Sequence, residues 1–298
     1  MKEIRKLPAS AGAEWVLGGF ALLRKAPLGL GLLGVLWGLL SLLAVTVLVS
    51  APAAGIFLQL LLALAGPVLF AGLIWAVREV DQDRPALPTH LWQGLREGKV
   101  PALLATLLPQ LAAGLLLGIA LLVLIGPAQL QALFEVTERI NEMARSGAQP
   151  SPEQVEQMVG ALPAGRILLW LLLVVVVFLA AVMTVFVSVP RILFDGRGGI
   201  AALRDSLRAC LHNGAAMAVF LLVLFVAMFA IYFAVTLLTL VVQAVGGAVL
   251  GSWIAQLLLT GVVMPLLAGV AYQAWKQMFG ASSPVAPTAD ARQDVIEV

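Results

Sequence analysis

The chain has 298 residues, of which 61% are hydrophobic and only 11% are charged, and its formal net charge is +2. A typical soluble domain is about 45–50% apolar and about 25% charged, so this chain has too few charges to cover the surface of a soluble globule. The same composition excludes a disordered chain, a disulfide-rich domain and a nucleic-acid-coating protein. It predicts an all-α, polytopic membrane protein.

Six apolar runs are long enough to cross the roughly 30 Å hydrocarbon core of a bilayer. They predict transmembrane helices over residues 28–49, 56–77, 101–125, 167–189, 215–244 and 248–274. The last two runs belong to one continuous apolar stretch, and Gly246-Gly247 is the expected break because glycine turns at low steric cost. We expect residues 1–280 to form a single integral membrane domain, followed by a disordered tail at 281–298.

The basic residues fall mainly on one side of these predicted spans. Fifteen of the eighteen Lys and Arg residues lie in the leader, in the second-to-third and fourth-to-fifth connections, or in the tail. Only Arg139, Arg145 and Arg166 flank the other side. Because short loops rich in Lys and Arg stay on the cytoplasmic side, we expect both termini to be cytoplasmic.

A short amphipathic segment precedes each odd-numbered span, at residues 14–25, 90–99 and 200–211. The third has the clearest helical spacing. Its apolar side consists of Ile200, Leu203, Leu207, Cys210 and Leu211. Its polar side consists of Arg204, Asp205 and Arg208. We expect these helices to lie in the cytoplasmic headgroup layer with their apolar faces in lipid; docking of a partner and packing beneath the bundle are the alternatives.

The even-numbered spans contain matching sequences at a constant offset. Gln59-Leu60-Leu61-Leu62 matches Gln256-Leu257-Leu258-Leu259, and Ala71-Gly72-Leu73 matches Ala268-Gly269-Val270, after which Trp75 aligns with Tyr272. With the three amphipathic segments, this predicts a pseudo-threefold repeat of an amphipathic helix followed by a hairpin. Chance identity in leucine-rich sequence is the alternative.

Residues 126–165 form the one sizeable loop predicted outside. A helix is expected over residues 129–144, and Ser151-Pro152 is a typical start for a second, which would end near Leu162. We interpret this loop as a solvated cap on the bundle. The alternative is a docking or gating element in the periplasm.

The sequence offers few groups for catalysis. The spans contain no Asp, Glu, Lys, Arg or His away from their ends, and the chain has no H-E-x-x-H, P-loop or G-x-S-x-G motif. Its single cysteine, Cys210, excludes a cysteine-cluster metal site, and His90 and His212 lie too far apart for a histidine motif. We therefore expect no enzyme activity, no catalytic residue, no metal and no cofactor.

Four glutamines in the spans are the most informative polar groups: Gln59, Gln110, Gln243 and Gln256. Because an amide in hydrocarbon needs hydrogen-bond partners, we expect them to pair across helices or to line a small polar pocket.

Four arginines lie in the connection between the fourth and fifth spans: Arg191, Arg197, Arg204 and Arg208. With the glycines at 196–199 they are candidate contacts for a lipid headgroup or phosphate. The alternative is that they only anchor the positive side of the protein.

Two stretches resemble a family of uncharacterised proteobacterial multi-pass inner-membrane proteins. The first is the P-A-x-x-G-x-x-W start, here from Pro8 to Trp15, followed by an F-x-L-type helix at residues 20–28. The second is the A-x-x-x-S-x-x-A-x-x-x-N helix from Ala202 to Asn213, which is also similar to that of YciC-type membrane proteins. The resemblance implies a membrane fold and an inner-membrane location, and it implies no active-site residue.

These observations favour a non-catalytic envelope accessory or a lipid-interacting scaffold. A transporter or channel for a small neutral or lipidic solute is the alternative. The expected partners are membrane lipids, with a membrane-protein partner or a homo-oligomer as further candidates, and no nucleic acid.

Overall fold

The structure is a computed structural model that describes residues 4–146 and 163–280. Within these ranges every regular element is a helix, so the all-α prediction is confirmed for the described part of the chain. The helix predicted over 151–162 and the tail at 281–298 lie outside the described residues.

Five helical stretches are long and apolar enough to cross a membrane, which makes this a multi-pass membrane protein by length and composition. They are Pro27–Ser50, Pro52–Asp81, Val100–Leu124, Ala164–Asp195 and Gly214–Phe279. The shortest has 24 residues, about 36 Å at 1.5 Å per residue, which is enough for a hydrocarbon core of about 30 Å.

The first three helices follow one another closely. Helix α1, Ala11–Lys25, is separated by Ala26 from α2, Pro27–Ser50, and Ala51 separates α2 from α3, Pro52–Asp81. Both α2 and α3 begin with proline at the first helical position, where the missing N–H costs no helical hydrogen bond. Ala51 therefore marks the turn of the first hairpin.

The segment predicted as an amphipathic helix over 90–99 is broken in the structure. A 3-10 turn, Pro88–Trp92, leads into the single turn α4, Gln93–Arg96, and Gly98 has a φ of 64°. That left-handed conformation ends the segment and favours glycine. Helix α5, Val100–Leu104, follows, and a 3-10 turn, Ala105–Leu107, joins it to α6, Leu108–Leu124.

The predicted fourth span, 167–189, is also interrupted. The loop helix α7 covers Pro127–Ser146, α8 covers Ala164–Val185, and α9 covers Ser188–Asp195. The break falls at Val187, whose backbone N–H donates to the Ser206 hydroxyl at 3.1 Å instead of continuing the helix. Helix α10, Gly199–His212, follows α9.

The last helix, α11, runs over Gly214–Phe279 but reverses at Gly247, which has φ 82° and ψ 166°. Both halves of α11 return to α1: Gly12 lies against Ala216, and Gly19 lies against Leu266. A straight helix would place Ala216 and Leu266 about 75 Å apart, far more than the length of α1. Only glycine adopts a φ near 82° readily, so the predicted break at Gly246-Gly247 is confirmed.

The buried core lies at one end of the molecule, which we call the packed end. There α1, α9 and α10 meet the C-terminal parts of α3 and α11. By contrast, α6 and α8 have no fully buried residue along their lengths. Lipid chains cover such apolar helix surfaces as well as leucine does, so the interactions that fix the arrangement of the helices are concentrated at the packed end.

Candidate functional site at the packed end

Three short helical segments surround the ends of the long helices, and we call them the collar. They are α1, residues 88–96 and α10. They correspond to the amphipathic segments predicted from the sequence. In each, one side packs on protein and the other side is exposed.

The first collar segment, α1, packs along the C-terminal part of α11. Gly19 and Gly269 face each other so closely that a Cβ on Gly269 would lie 3.0 Å from Gly19 Cα. At one end of this contact the buried Trp15 donates its indole N–H to Gln277 Oε1 at 2.8 Å. The two small residues thus let the backbones approach, and the tryptophan fixes the register.

The second collar segment, residues 88–96, packs on α3 in the same way. A Cβ on Gly72 would lie 2.5 Å from Leu91 Cα and from the carbonyl oxygen of His90. Leu91 is buried, and Gly94 lies against Val68. Gly72 and Gly269 are the equivalent positions of the two matching sequences, so a glycine at that position lets a collar segment approach the long helix in both places.

The third collar segment, α10, packs on the end of α8 through a polar contact. The Ser206 hydroxyl donates to the Met183 carbonyl oxygen at 2.7 Å and accepts from the Val187 N–H. Cys210 lies beside it, with its Sγ 3.5 Å from the same carbonyl oxygen. Burial raises the pKa of the Cys210 thiol to about 12, which keeps it protonated and makes it a packing residue.

The three contacts follow one rule. Residues 88–96 and α10 each pack on the long helix that precedes them in the chain, α3 and α8 respectively. The first segment, α1, has no preceding helix and packs on the end of the last one, α11. The collar therefore connects the beginning, the middle and the end of the chain.

A buried ion cluster joins α9 and α10 at the packed end. Arg191, only 3% exposed, donates from Nη1 to Asp195 Oδ2 and from Nη2 to Asp205 Oδ2, each at 2.7 Å. Arg197 Nε donates to the same oxygen of Asp205 at 2.9 Å. Burial alone would raise the pKa of the Asp205 carboxyl, but the hydrogen bonds from Arg191 and Arg197 outweigh it and hold the pKa below its ordinary value.

Aromatic rings enclose the ion cluster on the side of α3 and α11. Phe194 lies 6.0 Å from Trp75 and 6.1 Å from Tyr272, measured between ring centroids. Trp275 donates its indole N–H to Asp195 Oδ2 at 2.8 Å. Arg191 lies over the ring of Phe279 at 4.2 Å. These contacts bind α9 to the ends of two long helices and leave the guanidinium of Arg191 enclosed.

The four arginines predicted as headgroup contacts therefore divide into two pairs. Arg191 is enclosed in the ion cluster and Arg197 is bound to Asp205, so the structure uses both to join α9 to α10. Arg204 and Arg208 are exposed on the outer side of α10, and no ion pair holds them among the described residues.

The predicted faces of α10 are partly wrong. Ile200 and Leu211, assigned to its apolar side, are 63% and 64% exposed, whereas Asp205, assigned to its polar side, is buried. Leu203 and Cys210 are buried as expected, but against protein. The apolar side of α10 thus packs beneath the bundle, and its outer side combines two bases with two apolar side chains.

Asn213 is a residue whose role the sequence indicated only as a helix end. Its side chain accepts from the Leu7 N–H at 2.8 Å and donates to the Arg5 carbonyl oxygen at 3.0 Å. It thereby ties the leader to the junction of α10 and α11. The only sequence signal was an Asn-Gly pair after an amphipathic run, which does not reveal a partner two hundred residues away.

The four glutamines occupy separate places. Gln59 is exposed on α3, and the amide of Gln110, on α6, faces the carbonyl oxygens of Thr106 and Leu107 in the preceding 3-10 turn. Gln243 lies against Gly251 across the reversal of α11. Gln256 lines a groove between α2 and α11 that contains none of the other three glutamines.

That groove has a volume of about 660 Å³ and runs towards the end opposite the collar. It is lined by Ser41, Leu42, Val45, Thr46, Val49, Ser50, Val249, Ser252, Trp253 and Gln256. No charged side chain lines it. Ser50 ends α2 beside the first hairpin turn and Val249 follows the reversal at Gly247, so the two turns lie at the same end of the molecule.

Among the described residues, no group of three or more His, Cys, Asp or Glu side chains could hold a metal ion. No family model matches this chain, and no curated protein or solved structure matches it either.

Proposed function

We propose that this protein is an inner-membrane scaffold without catalytic activity, which binds anionic lipid headgroups through the outer side of its collar. It crosses the membrane six times, with both termini in the cytoplasm, and it is related to the proteobacterial family whose P-A-x-x-G-x-x-W start it resembles. The collar then lies at the cytoplasmic surface, and the hairpin turns at Ala51 and Gly247 lie outside.

The reversal of α11 supports six crossings. The part of α11 before Gly247 has 33 residues and the part after it has 32, about 50 Å each at 1.5 Å per residue. Each part is therefore long enough to cross a bilayer alone. With the first four apolar stretches this gives an even number of spans, which agrees with cytoplasmic bases at both termini.

Two kinds of observation support the three-unit repeat. Gly72 and Gly269 are equivalent by sequence, and a collar segment packs closely against each of them. Trp75 and Tyr272 are the next equivalent pair, and both contact the ring of Phe194. Each collar segment packs on the last helix of the preceding unit, in cyclic order. Chance identity in leucine-rich sequence gives no reason for equivalent positions to make equivalent contacts.

The outer side of the collar is the observation that carries the lipid proposal. Arg96, Arg204 and Arg208 are exposed, and the exposed apolar side chains of Trp92 and Ile200 stand on the same segments. Apolar groups that enter the acyl boundary beside bases that meet anionic headgroups are typical of interfacial helices. We rank the scaffold above the transporter because the four glutamines do not meet in one cavity.

Co-purification of lipid tests this proposal. The full-length protein is reconstituted in equal amounts of phosphatidylglycerol and phosphatidylcholine, purified in mild detergent, and its retained lipids are counted by mass spectrometry. We expect phosphatidylglycerol to be enriched. In the double variant Arg204→Gln/Arg208→Gln the enrichment should fall by about ten- to thirtyfold, because each base near an anionic surface contributes about 1 kcal/mol and about 1.4 kcal/mol corresponds to tenfold.

The matched control is Arg145→Gln/Arg166→Gln, which removes two exposed bases on the opposite side of the protein. It should keep the enrichment of the unmodified protein. Equal losses in both double variants, or a loss in neither, would contradict a specific role for the collar.

A further inference from the structure

The groove between α2 and α11 has a chemical character that differs from the surrounding lipid-facing surface. Its lining alternates apolar side chains with Ser41, Thr46, Ser50, Ser252 and Gln256. The four hydroxyls bond to their own helices, but the Gln256 amide has no partner among the described residues, and an unpartnered polar group in hydrocarbon carries a desolvation cost. The groove of about 660 Å³ also falls within the roughly 300–1,000 Å³ typical of ligand sites.

The hydroxyl groups in the groove can accept hydrogen bonds but are already committed as donors. Ser41 donates to the Trp37 carbonyl oxygen, Thr46 to that of Leu42, and Ser252 to that of Val249. Such bonds to the preceding turn leave lone pairs on each hydroxyl oxygen.

The amide of Gln256 supplies the free hydrogen-bond donors that the hydroxyls lack. Its side chain makes no hydrogen bond with the described residues, so its N–H groups and its carbonyl oxygen are available. The indole of Trp253 adds a further N–H donor at the wall. The groove therefore offers several acceptors and a few donors, and it offers no charge.

We propose that this groove binds the polar part of an uncharged glycerolipid of the diacylglycerol class, with its acyl chains against the valines and leucine of the lining. The free hydroxyl of such a lipid donates to a serine or threonine oxygen, and an ester carbonyl accepts from the Gln256 amide. A phospholipid is disfavoured because its charged phosphate would enter a site without a counter-charge.

The position of the groove fits an amphiphile that enters from the membrane. Ser50 and Val249 stand near the two hairpin turns, and at 1.5 Å per residue Ser41 lies about 13 Å and Gln256 about 10 Å further along their helices. The polar groups thus continue below the level expected for surrounding headgroups. This placement rests on the membrane-spanning arrangement proposed above, but it is independent of the lipid contacts of the collar.

Photo-labelling tests the site on the full-length protein in phosphatidylcholine nanodiscs. One sample contains a diacylglycerol with a diazirine in one acyl chain, and the other contains phosphatidylcholine with the same labelled chain. We expect the diacylglycerol probe to label residues 41–50 and 249–256 about fivefold more than the phosphatidylcholine probe does, the effect of about one hydrogen bond. Unlabelled diacylglycerol should compete until the excess is lost.

The variants Gln256→Leu and Gln59→Leu form a matched pair, because the two glutamines are equivalent by sequence and Gln59 lies outside the groove. Gln256→Leu should remove the excess labelling, while Gln59→Leu should leave it unchanged. Size-exclusion chromatography checks that both variants elute at the same volume as the unmodified protein.

An internal reference is the exposed apolar surface of α8 at Leu168, Leu172 and Val175. Equal labelling of the groove by both probes, or labelling no stronger than on α8, would overturn the proposal. Because the competition experiment uses the unmodified protein, this result does not depend on how a variant folds. It is also separate from the test with phosphatidylglycerol, which reports only on the collar.

Discussion

Asp205 shares one carboxylate oxygen between two guanidinium groups and holds α9, the Arg197 turn and α10 together. Removing ions from water costs several kcal/mol for each charge, and the attraction offsets this cost only when the geometry is good and the remaining donors are satisfied. Here both pairs have hydrogen-bond distances below 3 Å, but Arg191 Nε is buried without a hydrogen-bond partner among the described residues. The cluster is therefore sensitive to the loss of any one member, because Arg191 already carries one unpartnered donor.

Replacement of Asp205 by Asn should destabilise the protein strongly. The change leaves Arg191 enclosed with one carboxylate fewer, and breaking a buried ion pair typically costs about 3–5 kcal/mol. We expect a lower midpoint of thermal denaturation in detergent. The control Asp83→Asn removes an exposed carboxylate that pairs with Lys25 and should change stability by less than about 1 kcal/mol; similar losses in both variants would contradict the assignment.

The contribution of Asp205 should also depend on pH in a defined direction. Its pKa in the folded protein is lowered below the ordinary value, which is about 3.9. The stabilisation is therefore complete above about pH 4 and is lost as the pH falls through the folded pKa. The difference in denaturation midpoint between the unmodified protein and Asp205→Asn should shrink below about pH 4; a constant difference down to about pH 2 would argue against an ionised Asp205.

The sequence predicted the ionic character of this connection but not its pairing. Helical periodicity placed Asp205 with Arg204 and Arg208 on an outer side, because a pattern of spacing shows only which residues share a face. It does not reveal that Arg191 approaches from a separate helix. The burial of Asp205 and the exposure of Ile200 follow from that tertiary contact.

At the scale of elements, close backbone approach at Gly72 fixes the second collar segment on α3. A Cβ there would meet backbone atoms of His90 and Leu91, which cannot move without shifting the whole segment. At Gly114, on α6, a Cβ would meet no atom within 4 Å, so this helical position has room for a methyl group.

Gly72→Ala and Gly114→Ala should therefore have opposite effects. Overpacking typically costs about 1–3 kcal/mol, whereas alanine in place of an unconstrained helical glycine gains about 0.5–1 kcal/mol. We expect the denaturation midpoint to fall in Gly72→Ala and to be unchanged or higher in Gly114→Ala. A fall of the same size in both would indicate a general effect of replacing helical glycine rather than a contact with the collar.

Helix bounds were the part of the fold that the sequence predicted best, because long apolar runs and proline or glycine signals act locally. The hairpin at Ala51 and the reversal at Gly247 both follow from such signals. The break at Val187 could not be predicted, since it depends on the Ser206 hydroxyl of another helix. For the same reason the packing of α1 on α11 has no counterpart in the sequence pattern.

At the scale of the whole molecule, packing is uneven from one end to the other. The collar, the ion cluster and the aromatic rings fill the packed end, while α6 and α8 contact little protein along their apolar lengths. In a membrane, apolar burial between helices gives little driving force because lipid is equally apolar. A structure fixed by polar and aromatic contacts at one end agrees with a scaffold that presents its surfaces to lipid.

The central claim is that six spans place the collar on the cytoplasmic side, and reporter fusions test it most directly. A reporter active only outside the cytoplasmic membrane is fused after Ala51, Ala148, Gly247 or Ser282 in separate strains. The account predicts activity at Ala51, Ala148 and Gly247 and none at Ser282. Activity at Ser282, or the same result at Gly247 and Ser282, would contradict it, because α11 would then not cross the membrane twice.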